Sequence, residues 1–150
     1  MARQLLRRFL VLTCVAAVVA LTPLSAQAQS EVTITVGATG TLQSRIVARV
    51  PVQINCAPME VNFGDTGGTI RQAAGREIAH GSGGADQPVT SIVCDGAPHP
   101  ASFTFVADLD SPPFRGGNAV VTVAVILCDV NFVCQSGDSG FQTIKLRPSS

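Results

Sequence analysis

The chain has 150 residues, with ten basic and ten acidic side chains and neither Trp nor Tyr. Residues 29–150, which follow a predicted signal peptide, keep seven basic and ten acidic residues and contain no basic cluster, which argues against nucleic acid and anionic membranes as partners. This length suits one domain with a single core.

The first 28 residues have the three parts of a secretory signal peptide. A basic head with three arginines precedes an apolar stretch at residues 9–21, and a small-residue cleavage site ends at Ala28. The apolar stretch is shorter than the about 20 residues that cross a bilayer, and no second such run follows. We predict cleavage after Ala28, a secreted domain at residues 29–150 and no membrane span.

Short runs that alternate apolar and polar residues between Gly- and Pro-rich turns predict strands. Seven are predicted, at residues 32–36, 45–56, 59–72, 87–94, 101–109, 119–128 and 141–146. Residues 37–40, 81–84 and 137–140 are predicted as turns or loops, and residues 76–80 as a short strand or an irregular excursion. The pattern indicates an all-β, immunoglobulin-like antiparallel β-sandwich of about seven to nine strands.

The run at residues 119–128 is the most strand-like part of the chain. It is rich in β-branched residues, which pack well on a pleated surface, and it is apolar on nearly both faces. We therefore predict a central strand that is buried on both sides. Its outer face would be covered by the second sheet or by a strand of a partner.

Four cysteines remain after cleavage and predict two disulfides, although four cysteines allow three pairings. An antiparallel succession of strands brings all four to one end of the sandwich. Cys56 with Cys94, and Cys128 with Cys134, are both feasible pairs there. Zinc binding would need close Cys or His pairs, which the lone histidines do not supply, and no metal or cofactor is expected.

The candidate binding residues lie in loops at the same end, because loops on a rigid scaffold are where binding usually occurs. In the loop between Cys128 and Cys134 they are Asp129, Asn131, Phe132 and Val133. We expect Phe132 and Val133 to be tucked into the end of the sandwich; if displayed instead, they would form a pre-organised apolar knob. Asp95 and His99 are the candidates in the turn after Cys94.

No catalytic residue is predicted. Gly137-Asp138-Ser139-Gly140 is similar to the nucleophile motif of chymotrypsin-like proteases, and His80, Asp108 and Ser139 follow in the matching order. That fold needs two barrels, however, so a polar turn is the preferred interpretation and the serine protease a remote alternative. Asp108 and Asp110 could offer oxygens to calcium, but a solvated turn is again preferred.

Two families share parts of this sequence. Residues 88–96, Pro98-His99, residues 114–119 and the loop from Cys128 to Cys134 resemble small secreted actinobacterial proteins, which implies an immunoglobulin-like fold and export without an activity. Residues 128–135 also resemble the stapled loop of the enediyne chromoprotein apoproteins, the neocarzinostatin-like proteins, which implies ligand carriage. The wide spacing of Cys56 and Cys94 departs from the close cysteine pair of that second family.

The sequence therefore predicts a secreted, non-enzymatic protein that interacts with another protein or with a cell-envelope surface. Carriage of a small apolar ligand is the alternative. A carrier would have a sizeable apolar cleft between a sheet and the loops at the end that carries the cysteines. An interaction module would instead present a flat surface or a strand edge.

Overall fold

A computed structural model describes residues 31–149. The signal peptide predicted at residues 1–28, with its cleavage after Ala28, lies outside the described residues. The described part contains nine strands and one short 3-10 helix at Val89–Ser91. The strands are β1 (Thr33–Val36), β2 (Thr39–Ser44), β3 (Val47–Asn55), β4 (Phe63–Ala74), β5 (Glu77–Ala85), β6 (His99–Ala107), β7 (Gly117–Cys128), β8 (Cys134–Asp138) and β9 (Gln142–Pro148).

Seven strands close into a barrel, so the predicted immunoglobulin-like β-sandwich is wrong, although the chain is all-β as expected. The order around the barrel is β3, β2, β9, β7, β4, β5 and β6, and β6 pairs back to β3. β2 and β9 run parallel, and the other neighbours in the ring run antiparallel. β1 pairs with the part of β3 beyond β2, and β8 with the part of β7 beyond β9. Closure leaves the ring without the free strand edges of two separate sheets.

Closure depends on β5, of which the sequence predicted residues 81–84 as a loop and the part before them as a short strand or an irregular excursion. β5 pairs with β4 on one side and with β6 on the other, and it thereby joins what would otherwise be two sheets. Its glycines make this possible, because a Cβ added at Gly83 would fall on the carbonyl oxygen of Thr104. Glycine allows such close approach and sharp bending at the corner of a barrel. A glycine run that is typical of a flexible loop is here a strand paired on both sides.

We expect Gly83→Ala to lower the free energy of unfolding by about 2 kcal/mol, because the methyl group would force the backbones of β5 and β6 apart. Gly67→Ala is the matched control, since a Cβ there meets nothing within 4 Å. Urea unfolding of the two variants checks this. Equal stability of the two variants would show that β5 does not need its glycine for closure.

The segment at residues 87–94 is not a strand, contrary to the prediction. Val89–Ser91 forms the 3-10 helix, and the Ser91 hydroxyl donates a hydrogen bond to the Pro88 carbonyl (2.7 Å). Local bonds of this kind compete with pairing between strands. Of this segment, Cys94 alone forms a bridge, an isolated one with Met59.

The predicted turns at residues 37–40 and 137–140 are shorter than expected. β2 begins at Thr39 and β8 continues to Asp138. Both strands are short and mostly polar, so neither carries the alternation of apolar residues that identifies a strand in a sequence. Pairing decides their conformation: β2 pairs with β9 from the far end of the chain, and β8 pairs with β7, which directly precedes it.

Phenylalanines and aliphatic side chains fill the barrel. Phe103 and Phe105 of β6 stack with their ring centroids 6.4 Å apart, and Phe114, from the segment before β7, is buried with them. β7 contributes its inward face, but Val120, Ala124 and Ile126 on its outer face are exposed. The prediction that β7 is buried on both sides is therefore wrong, since no second layer covers this strand in residues 31–149.

Both predicted disulfides form, and they lie at one end of the barrel, which we call the stapled end. Cys56 pairs with Cys94 and Cys128 with Cys134. The amide of Gln135, next to Cys134, accepts a hydrogen bond from the Ala57 N–H and donates one to the Ala57 carbonyl, each 2.9 Å long. The opposite end, where the β2–β3 turn, Phe114 and the last residues of β9 meet, is called the far end.

Candidate functional site

The loop between β7 and β8, residues 129–133, is held rigidly by its own hydrogen bonds. One carboxylate oxygen of Asp129 accepts hydrogen bonds from the backbone N–H groups of Asn131 (2.8 Å) and Val133 (2.9 Å). The Asp129 N–H donates to the Val133 carbonyl (3.0 Å), and the Phe132 N–H donates to the Asp129 carbonyl (3.1 Å). Together with the disulfide between Cys128 and Cys134, these bonds fix the loop, which we call the stapled loop.

Three apolar side chains project from the stapled loop into solvent. The exposed fractions are 70% for Val130, 78% for Phe132 and 62% for Val133. We call these three residues the apolar knob. Phe132 has φ of 61°, a left-handed conformation that costs free energy in a residue with a side chain.

The expectation that Phe132 and Val133 are tucked into the barrel is wrong. The Asp129 carboxylate fills the inside of the turn, where it satisfies two backbone N–H groups. Leu127 and Cys128 already close the core beneath the loop. The apolar side chains therefore have no interior position to occupy, and the structure displays them.

The apolar knob continues onto the outer face of two barrel strands. The rings of Phe132 and Phe63, at the start of β4, have centroids 5.0 Å apart and are tilted by 60°. Ile126 of β7 is exposed on the same side and pairs with Asp65 of β4. This exposed surface, together with Ala124 and Val120 further along β7, is called the β4–β7 outer face.

A shallow trench of about 400 Å³ crosses the β4–β7 outer face. Its floor lies at Gly67 and Gly68, where β4 has no side chains, and at Ala124 on β7. Phe141, which is 82% exposed, forms one wall, and Arg71 lies on the other side. The apolar surface therefore contains both a projecting part and a recess.

Asp95 and His99, the other predicted binding residues, form a pair at the stapled end. His99 Nε2 lies 2.8 Å from an Asp95 carboxylate oxygen, which also accepts a hydrogen bond from the Ala97 N–H (2.9 Å). A cavity of about 140 Å³ beside His99 is smaller than the about 300 Å³ at which ligand pockets begin. Within residues 31–149, no hydrogen bond or ion pair joins this pair to the stapled loop.

The pKa of the Asp95 carboxyl lies below its ordinary value of 3.8, first because of the Ala97 N–H and then because of His99. A lowered pKa means that folding favours the carboxylate, so this stabilisation is present above pH 3.8 and is lost as the pH falls below it. We expect His99→Asn to raise the pKa of Asp95 but to leave it under 3.8, because the Ala97 bond stays. An NMR titration checks this, with His80→Asn as a control that leaves Asp95 unchanged.

The residues considered for protease activity do not assemble as a triad. His80 Nε2 lies 3.5 Å from carboxylate oxygens of both Asp108 and Asp110. The Ser139 hydroxyl accepts a hydrogen bond from the Val123 N–H, and β7 and β4 separate its segment from β5, which carries His80. In the described part of the chain, no group of three or more His, Cys, Asp or Glu side chains is placed to hold a metal ion.

Sequence reasoning missed two residues of the stapled end. The sequence placed Phe63 in the strand predicted at residues 59–72 without an outward role, and Gln135 only in the segment that resembles the chromoprotein loop. The sequence offered one signal for Phe63: it is followed by Gly64, and a glycine in a strand often marks a place where a neighbouring backbone comes close. Gln135 carried no such signal, because its partner Ala57 is 78 residues away.

Comparison with known proteins identifies no family for this chain. No family model and no curated protein matches it, so the two sequence resemblances gain no support. A solved structure that is similar to it is AggA, the major subunit of aggregative adherence fimbriae type I from Escherichia coli, with 13% identity and a TM-score of 0.31. That match covers 79% of this chain and 94% of AggA. Separately, no helix in residues 31–149 is long and apolar enough to cross a membrane.

Proposed function

We propose that this protein is a secreted, non-enzymatic interaction module that binds another protein or a cell-envelope surface through the apolar knob. The observation that carries the proposal is the exposure of Val130, Phe132 and Val133 in a loop closed by a disulfide. Exposed apolar patches often mark interaction sites, because contact between apolar side chains and water is unfavourable and a partner removes it. We do not assign to this site the two alternatives from the sequence, carriage of a small apolar ligand and serine protease activity.

Rigidity supports a binding role for the knob. Association costs free energy when loops and side chains become ordered, and a loop that is already fixed avoids most of that cost. The carboxylate of Asp129 and the disulfide fix the stapled loop before any partner arrives. Phe132 is thus a pre-positioned aromatic anchor of the kind that dominates binding energy in interfaces.

The β4–β7 outer face extends the contact area. Phe63 touches Phe132, Ile126 lies beyond it, and the trench floor at Gly67 could accept a side chain of the partner. Because the barrel is closed, addition of a partner strand to a free edge of the ring is not part of this proposal. The partner would instead bring apolar side chains to this face.

Site-specific photo-crosslinking tests the proposal. A photoreactive residue at position 132 is expected to capture partners from the envelope of the producing cell, whereas the same residue at position 109 serves as the control. Leu109 is more exposed than any residue of the knob, and it lies outside the knob, in the segment between β6 and β7. In competition, unlabelled Phe132→Ser should fail to reduce the crosslinking at 132, and unlabelled Leu109→Ser should reduce it. Equal competition by both variants would contradict a role for the knob.

Secretion is part of the same proposal. Two disulfides are typical of proteins outside the cytoplasm. If the signal peptide is cleaved after Ala28, the mature protein begins at Gln29. Mass spectrometry of the protein recovered outside the producing cell checks this, and an intact residue 1 in that material would contradict it.

A further inference from the structure

The far end of the barrel contains an open cavity of about 390 Å³, as wide to solvent as the trench, and its floor is apolar. Leu42 of β2 and Phe114 form the floor, and both are buried, whereas Pro148 of β9 lies at the rim. The volume falls within the range of small-molecule sites, which are usually apolar with a few polar groups. The cavity lies at the end opposite the stapled loop, so it is separate from the site proposed above.

Two arginines give this cavity a positive charge. Arg45 and Arg115 both line it, and no acidic side chain is among the residues that surround it. Neither arginine takes part in an ion pair within residues 31–149, whereas Arg49 pairs with Asp86 at 2.7 Å. The guanidinium groups therefore remain available to an anion, which they bind well because of their planar set of N–H donors.

Hydrogen bonds hold the walls of the cavity in place. The buried amide of Gln72 accepts a hydrogen bond from the Arg115 N–H and donates one to the Arg115 carbonyl, each 2.8 Å long. The Phe114 N–H donates to the Arg45 carbonyl (2.8 Å), and the Ser149 N–H donates to the Leu42 carbonyl (3.0 Å). Three separate segments are thus fixed around one space. A ligand would therefore bind without much further ordering of the protein, which would otherwise cost free energy.

We infer that this cavity binds a small amphipathic anion, a ligand with an apolar group and one negatively charged head group. The apolar group would rest on Leu42 and Phe114, and the head group would accept hydrogen bonds from Arg45 and Arg115. The inference does not depend on the proposed function, because none of these residues belongs to the apolar knob.

A pair of fluorescent dyes tests the inference on the folded mature protein. Anilinonaphthalene sulfonate has an apolar ring system with one negative charge, and N-phenylnaphthylamine has the same rings without the charge. We expect the double variant Arg45→Gln and Arg115→Gln to bind the anionic dye at least about tenfold more weakly, because charge-assisted hydrogen bonds are lost. The neutral dye should bind both proteins within about twofold, since the apolar floor is intact.

Control variants locate the dye. Arg71→Gln removes a positive charge at the trench, and Phe132→Ser removes the knob; neither should weaken the anionic dye. NMR shifts of the wild-type backbone provide a measurement that needs no variant. Shifts upon addition of the anionic dye at Leu42, Arg45 and Gly116 support the inference, and shifts confined to the stapled loop or the trench overturn it. An unchanged affinity in the double arginine variant also overturns it.

Discussion

Replacing Cys56 and Cys94 together by alanine is expected to lower the free energy of unfolding by about 4 kcal/mol. The two cysteines are 38 residues apart, so their bond removes a large amount of conformational freedom from the unfolded chain. It also connects the end of β3 to the segment after the 3-10 helix, which otherwise pairs through an isolated bridge. Urea unfolding of the double variant and of the oxidised wild type measures the difference. Circular dichroism follows the unfolding, because the chain has neither Trp nor Tyr for fluorescence.

The Cys128 and Cys134 pair provides the comparison. Its cysteines are 6 residues apart, and the same chain-entropy argument gives about 2 kcal/mol for the loss of that bond. The double alanine variant at these positions should therefore be the more stable of the two. The opposite order would contradict the chain-entropy argument and would indicate that the stapled loop supports the barrel as a whole.

Gln135→Leu is expected to lower the free energy of unfolding by about 3 kcal/mol, which is large for a single change of similar size. The amide of Gln135 satisfies both the N–H and the carbonyl of Ala57, and leucine leaves both groups without a partner. The loop that carries Cys56 into β4 would lose its connection to β8. The loss is measured by urea unfolding, with hydrogen exchange of the Ala57 amide as a local readout.

Gln72→Leu tests the same arrangement at the far end, where the amide binds the backbone of Arg115. Gln53→Leu is the matched control, because Gln53 is exposed on β3 and should change stability by less than about 0.5 kcal/mol. If all three glutamine variants are equally stable, the buried amides do not hold the loops at the ends of the barrel. If Gln135→Leu and Gln72→Leu are both destabilised, each end of the barrel depends on one buried glutamine.

The sequence predicted β1, β3, β6 and β7 well, because each carries alternating or β-branched residues over most of its length. It predicted the all-β class and two disulfides at one end, and it left their pairing open, which the structure gives as Cys56 with Cys94 and Cys128 with Cys134. It did not predict β5 as a full strand or recognise residues 87–94 as non-strand, and the sandwich prediction was wrong as a consequence. These are the segments in which Gly, Ser and Pro give little periodic signal.

The candidate site was found in part. The position of the stapled loop followed from its two nearby cysteines, and its apolar residues were identified by type. Whether Phe132 is tucked or displayed could not follow from type, since it depends on Asp129 filling the turn and on the core already being closed by Leu127. The partnership of Phe63 with Phe132 joins a strand to a loop that lies far from it in the sequence, so it has no local signature.

By itself, the sequence determined that the chain forms short extended segments with apolar faces and that its cysteines gather at one end, because periodicity and residue type act over a few neighbouring residues. Only the tertiary structure decided that these segments form a ring. β5 pairs with both β4 and β6, and the backbone of Thr104 on β6 comes so close to Gly83 that a side chain there would not fit. The exposed knob and the arginine-lined cavity at the far end follow from that closure, since the interior is filled and the remaining apolar side chains and recesses lie at the ends and on the outer face.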